Sequence, residues 1–350
     1  MYSYEKRITK LPSSVYRLIN QIDELKGHWI GGANLNPQIL DRLQRSVLIT
    51  STGASTRIEG SNLSDVEIEK LMRGLSMQKF TSRDAQEVRG YYGVLKLVFD
   101  SAKDMTFSEN LVLHLHSELL QYTEKDQRHR GAYKKLENRV VASDPSGKVV
   151  STIFETTAAY LTPKETQELI DWTVKALQTN EHDRLLVIAN FVVGFLKIHP
   201  FLDGNGRLSR VLTNLLMIQA GYDYMSYVSH EKLIENTKTD YYIALRRSQS
   251  TFGTKEESIE AWATYFLKIL LEQVRQAVDL LSAENIEKLL SPNQLKVWAY
   301  LDSVEEATPG QIASSSGVAR PTVSQAIDRL MRLKRIERIG QGRTTRYRKL

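Results

Sequence analysis

Two apolar stretches, residues 185–198 and 208–216, are joined by a polar loop, His199-Pro200-Phe201-Leu202-Asp203-Gly204-Asn205-Gly206-Arg207. No other feature limits the fold so strongly. The first stretch is interrupted by Asn190, Gly194 and Lys197 and is too short to span a bilayer, so it reads as a buried core helix. Leu208, Val211, Leu212, Leu215 and Leu216 repeat with helical spacing and give a second core helix. Two buried helices must therefore meet around a loop that carries one base, one carboxylate, two glycines and an arginine.

The loop has the chemistry of an anion site. Pro200 pushes His199 toward extended backbone, which ends the first helix and throws the imidazole out at its terminus. Gly204-Asn205-Gly206 can adopt positive φ and gather backbone N–H groups into a nest. The following helix adds the positive end of its dipole. Arg207 and Arg210 are three apart, on one face of the first turn, and are expected to fork onto phosphate oxygens. Asp203 offers a hard oxygen suited to Mg²⁺, which takes few protein ligands and keeps its waters.

The fold class expected is mainly α, with one β-hairpin and a C-terminal winged helix-turn-helix. Helical spacing begins at Asn36-Pro37 with Ile39, Leu40, Leu43, Val47 and Leu48. Ser64 and Glu67 form a capping-box pair ahead of another helix, and residues 88–99 and 111–122 continue the theme. Residues 139–142 and 149–154, around Asp144-Pro145-Ser146-Gly147, predict a hairpin. A lone hairpin in a helical protein is marginal unless something packs on it, so it is a candidate clamp. Helical patterning resumes from 163 to 281, and 283–288 reads as a connector ending at Ser291-Pro292. Beyond it, residues 295–301, a helix starting at Thr308, a tight turn at 314–318 and a helix over 320–330 precede two strands at 336–339 and 344–347. The predicted domains are thus 1–100, 101–285 and 286–350.

Cysteine is absent, which excludes disulfides, thiolate nucleophiles and cysteine zinc sites. Residues 1–20 lack a signal-peptide pattern, and a cytoplasmic, membrane-free protein is expected. The formal charge of +6 is too mild to assign a partner by itself. Ten Lys or Arg lie between Arg320 and Lys349, however, and with Thr322, Ser324 and Gln325 they make residues 291–350 a candidate DNA-binding segment. A protein-docking or dimerisation role for the same segment, and hence a homodimer, stays open. His114 and His116 are two apart on a helix and point away from each other, so a shared metal is not expected.

His199 to Arg210 resembles the signature of the Fic domain family, His-x-Phe-x-Asp/Glu-Gly-Asn-Gly-Arg-x-x-Arg, and matches it at every defined position. The resemblance implies a helical catalytic core over roughly residues 100–285 that transfers AMP from ATP to a Ser, Thr or Tyr hydroxyl of a target protein, the chain itself included. It implies that His199 is the general base, and that Asp203 holds the Mg²⁺ between the α- and β-phosphates. Gly204, Asn205, Gly206, Arg207 and Arg210 would bind the ATP phosphates. Tyr241, Tyr242 and Gln249 sit where family members contact adenosine, although Asn is more usual at the last position. Residues 140–156 would be the flap that holds the target by strand addition. Phe201 would pack under the loop.

Ser55-Thr56-Arg57-Ile58-Glu59-Gly60 resembles the family's inhibitory motif, Ser/Thr-x-x-x-Glu-Gly/Asn. The resemblance implies that Ser55 and Glu59, on one helix face, pair with Arg210 and withhold it from the γ-phosphate. Three alternatives accompany this reading: a nucleotide-sensing DNA-binding transcription regulator, removal of AMP from modified targets with Glu59 positioning a water, and another nucleotide donor on the same scaffold. An intact base in the loop argues against pure sensing, since holding phosphate needs no proton acceptor.

Overall fold

Polar caps set where the helices begin, and apolar spacing sets which face they bury. A computed structural model describes residues 3–32, 37–73, 82–143, 149–332, 335–340 and 345–349. The first helices are α1 (Ser3–Thr9), α2 (Ser13–Gly32), α3 (Pro37–Ile58), α4 (Asp65–Arg73) and α5 (Arg83–Ser101). The capping box is formed before α4: Glu67 Oε2 accepts from the Ser64 amide at 2.8 Å, and the Glu67 amide donates to Ser64 Oγ at 3.4 Å. Ser82 caps α5 by accepting from the Ala85 amide. Ser108 does the same for α6 (Glu109–Leu119).

The expected hairpin is present as β1 (Arg139–Ser143) and β2 (Val149–Glu155), antiparallel, with Arg139 opposite Glu155 and irregular register after Val140 and Ala142. Its turn, 144–148, lies outside the described residues. There follow α7 (Thr162–Thr179), α8 (Arg184–Ile198), α9 (Asn205–Gln219), α10 (His230–Asn236), α11 (Lys238–Gln249) and α12 (Glu260–Leu289). The segment 283–288, expected as a connector, instead continues α12 without a break.

α8 carries apolar residues on all sides and is buried nearly throughout, as expected for a helix surrounded by others. α1, α7, α9 and α11 pack around it. α9 is buried on nearly every face as well, and α3, α5 and α6 cover it. The two core helices inferred from the loop are therefore adjacent, with the loop at their junction. Among the described residues, no helix is long and apolar enough to cross a membrane.

The chain divides into two compact units, Met1–Val278 and Asp279–Leu350. The second holds α13 (Pro292–Asp302), α14 (Pro309–Ser316), α15 (Arg320–Arg332), β3 (Ile336–Ile339) and β4 (Arg346–Lys349). Ser291 with Gln294, and Thr308 with Gln311, form full capping boxes. Gly317, at φ 67°, supplies the left-handed turn between α14 and α15. β3 and β4 pair antiparallel, and Ala307 bridges to Tyr347. Three helices and a terminal hairpin appear in the order expected of a winged helix-turn-helix. Residues 341–344, between the strands, lie outside the described residues.

Candidate active site

The site begins where α8 ends. His199 caps that helix with its amide donating to Phe195 O at 2.8 Å, and its backbone is left-handed (φ 54°, ψ 61°) rather than extended. The expectation drawn from Pro200 fails because the C-cap geometry prevails over the pre-proline preference. His199 Nδ1 lies 3.3 Å from Leu196 O, so it carries the proton and the lone pair is placed on Nε2. Burial lowers the imidazole pKa to about 4, which keeps it neutral at physiological pH. His199 lines a cavity beside Asp203, Gly204 and Gly206, where a neutral imidazole can accept a proton.

The loop after His199 is fixed from three sides. Asn205 Oδ1 accepts from the Phe201 amide at 2.9 Å, and Nδ2 donates to Phe201 O at 2.8 Å. The Asn205 side chain is thus a staple within the loop and not a ligand group reaching outward. Lys134 donates from Nζ to Ile198 O (3.1 Å), Asn138 Oδ1 (2.8 Å) and Thr156 Oγ1 (2.9 Å), while its amide donates to Pro200 O (2.9 Å). Asn138 Nδ2 donates to Phe201 O at 3.0 Å. These contacts tie the base of the β1–β2 hairpin to the loop.

Beneath lies His116, for which the sequence suggested no role. Its ring stacks on fully buried Phe201 (centroids 3.7 Å apart, planes at 10°). Nδ1 accepts from the Gly131 amide at 2.8 Å, so Nε2 bears the proton and donates to Asp203 O at 3.0 Å. Burial lowers its pKa to about 4. His116 therefore holds the carbonyl of Asp203, a residue that lines the cavity. The spacing of the two histidines contained no hint of this, since Gly131 and Asp203 reach His116 only through the fold.

The two loop arginines do not act as a pair. Arg207 turns to Glu87 on α5 (Nη1–Oε2, 3.0 Å) and Asp203 (Nη2–Oδ1, 3.1 Å). Arg83 completes a ring of alternating charge, with Nε on Glu87 Oε1 (2.7 Å) and Nη2 on Asp203 Oδ2 (3.0 Å). Burial pushes the Asp203 carboxyl up, but Arg207, the Gly204 amide and Arg83 outweigh it and hold the group below the usual carboxylate range. Arg207 Nε is buried without a hydrogen-bond partner among the described residues.

Arg210 goes to α3. Its Nε donates to Ser55 Oγ at 2.7 Å, and Nη2 donates to Ser55 O at 3.0 Å and Glu59 Oε1 at 2.7 Å. Glu59 lies just past the last residue of α3, so Ser55 and Glu59 converge on one guanidinium without sharing a continuous helix. Burial raises the Glu59 pKa, and the charge and hydrogen bond of Arg210 more than reverse this. A Cβ on Gly206 would sit 2.3 Å from Glu59 Oε1, so this position must be glycine for the carboxylate to approach α9. The end of α3 is itself anchored. Arg57 pairs with Glu235 (2.5 Å) and Asp65 (2.9 Å), and Lys238 Nζ donates to Ile58 O at 2.6 Å.

Glu59, His199, Asp203, Gly204, Asn205, Gly206, Arg210, Tyr241 and Tyr242 all line a cavity of about 130 Å³. With Glu59 in place this space is smaller than the roughly 300–1,000 Å³ typical of small-molecule sites. Arg207 and Gln249 stand behind the wall. Gln249 is buried with Nε2 donating to Val193 O at 3.2 Å, which uses its amide to hold α11 against α8. Among the described residues, no group of three or more His, Cys, Asp or Glu side chains could hold a metal. A single carboxylate suits Mg²⁺ carried mainly by phosphates and water, and the residues present fit no resident metal cage.

Residues 106–217 match the model of the Fic/DOC family, a span running from just ahead of α6 through the loop and nearly all of α9. The chain is 36% identical over 67 residues to a Fido domain-containing protein of Dictyostelium discoideum, a match covering 17% of this chain and about half (47%) of that relative. Among solved structures, it is similar to a Fic family protein from Desulfovibrio desulfuricans at TM-score 0.63 and 22% identity, over 97% of each chain. It is also similar to Fic-1 from C. elegans at TM-score 0.59 and 18% identity, over 78% of this chain and 74% of that one. Such low identities establish a shared fold. The Fic/DOC-family match is to a domain at residues 106–217 of this chain. Members of this family are generally transferases that place a nucleoside monophosphate on proteins.

Proposed function

We propose that this protein is an adenylyltransferase that moves AMP from ATP to a Ser, Thr or Tyr hydroxyl of a protein target, itself included, and that Glu59 restrains it. The observation that carries this reading is a neutral imidazole with its lone pair on Nε2, in one cavity with an arginine held by an acid just past the end of α3. His199 Nε2 takes the hydroxyl proton as the oxygen bonds to the α-phosphorus. The bond from that phosphorus to the bridging oxygen breaks, and pyrophosphate leaves. Asp203 would hold Mg²⁺, whose positive charge would offset the charge building on the leaving group.

Backbone amides at the start of α9, with Arg207 behind them, favour the phosphates. Tyr241 and Tyr242 offer aromatic faces to a purine. Glu59 occupies Arg210 and narrows the phosphate space, so ATP enters misaligned or not at all. A displacement of about 1 Å at a reacting centre lowers a rate by about 100-fold.

Intact-mass analysis after incubation with ATP, GTP, CTP or UTP tests the reading. Glu59→Gly should gain one nucleoside monophosphate, AMP in preference to the others, and Glu59→Gly/His199→Ala should gain none. Incorporation that survives loss of His199, or a gain with UTP in place of ATP, would refute the assignment as stated.

A further inference from the structure

The C-terminal unit carries charge that the active site does not use. Residues 291–350 contain eleven Lys/Arg against five Asp/Glu, a formal +6 that equals the excess of the whole chain. Residues 1–290 balance, with 36 of each sign.

We infer that the exposed face of α15 docks in the major groove of duplex DNA. Val323, Ala326, Ile327 and Leu330 recur at helical spacing and bury one face of α15 in this unit's core, with Val297, Leu301 and Ile312. The opposite face exposes Arg320, Ser324, Gln325, Arg329 and Arg332, opposed by one acid, Asp328. Not every cation of the unit is available. Arg346 pairs with Glu306, Arg348 with Glu337 and Lys349 with Asp302, so β4 is largely neutralised by its own unit. Among the described residues, Arg320, Arg329 and Arg332 have no ion-pair partner. Among the described residues, three cations without an acidic partner therefore lie together on α15, while Arg338 of β3 donates to Thr345 Oγ1 at 3.2 Å.

That helix is also held as a reading element should be. Gly317 turns the chain sharply between α14 and α15, and two 2.9 Å backbone hydrogen bonds between Ala307 and Tyr347 fix β4 to the segment before α14. The B-form major groove, about 12 Å wide, admits an α-helix, whereas the A-form RNA groove is too deep and narrow for side chains to read. The exposed side of α15 presents only one sizeable apolar side chain, Met331 (38% exposed), which is too little to seat a helix in lipid.

Fluorescence anisotropy of the full chain with a random-sequence DNA duplex tests the inference. Binding at 50 mM salt should weaken by about 100-fold at 200 mM, as expected for roughly four neutralised phosphates. Arg329→Ala/Arg332→Ala should retain its circular dichroism, weaken binding at 50 mM salt and flatten the log–log salt dependence by about two. Arg346→Ala/Arg348→Ala should change both far less. No binding at 50 mM salt would overturn the inference. Double-stranded RNA or heparin bound as tightly as DNA would overturn it too, as would equal losses in the two double variants.

Discussion

Arginine does opposite work in the two units. In the first, Arg207 and Arg210 are about 2% exposed and each is matched by a carboxylate from a distant segment, Glu87 for one (with the neighbouring Asp203) and Glu59 for the other. In the second, the arginines of α15 face outward without partners among the described residues. A buried guanidinium needs a counter-charge, and whichever acid supplies it controls what the arginine can do next. An exposed one needs none and acts through its field. Control by intramolecular competition is therefore available at the Arg210 site, and long-range attraction belongs to α15.

Perturbing the buried site should give the largest effects. In a Glu59→Gly background, His199→Ala should lower AMP transfer by about 10²–10⁴, the usual contribution of a general base, read by time-resolved intact mass. Glu59→Gly alone should raise auto-modification by about 100-fold. If the rate is unchanged while nucleotide still binds, Arg210 is not the controlled element. Removing only the Ser55 hydroxyl leaves Glu59 and Ser55 O on Arg210, so Ser55→Ala should raise the rate by about tenfold at most.

His116→Ala, in the Glu59→Gly background, should lower kcat by about tenfold with little change in the KM for ATP, because it frees the Asp203 backbone without removing its carboxylate. His116→Asn keeps a donor and should recover part of the loss. An equal fall in both variants, or one confined to KM, would contradict a positioning role.

The smallest expected effect concerns pH and separates the units again. His116 and His199 have native pKa values near 4 against an ordinary 6.5, so the folded form binds fewer protons between those values. Their stabilising contribution is complete above about pH 6.5 and is lost as pH falls toward 4. All seven histidines lie within residues 1–230. In Trp298→Phe the remaining tryptophans, Trp29, Trp172 and Trp262, report on the first unit alone. Their thermal midpoint should fall between pH 7 and pH 5, and an unchanged midpoint would mean that the two imidazoles are not buried neutral.

Much of this was legible before any coordinates. The loop from His199 to Arg207, its flanking core helices, the hairpin near 139–155 and the Thr308 cap all follow from residue order, because backbone preferences act over three to five residues. Local preference also misled. Pro200 argued for extended His199, yet the capping bond to Phe195 holds it left-handed. The arginines three apart suggested a common task, yet Glu87 and Glu59 draw them in different directions. The end of α12 carried a connector-like composition and is helical.

The sequence by itself determined a helical protein with a base, a carboxylate and an anion-binding loop at one helix junction, since each of these depends on neighbours in the chain. Tertiary structure alone decided that Glu87 claims Arg207, that Ser55 and Glu59 reach Arg210 from more than 150 residues away, and that His116 supports Asp203 from below. Those pairings depend on how helices cross and on which charges burial forces together, and neither quantity is written in the spacing of residues along the chain.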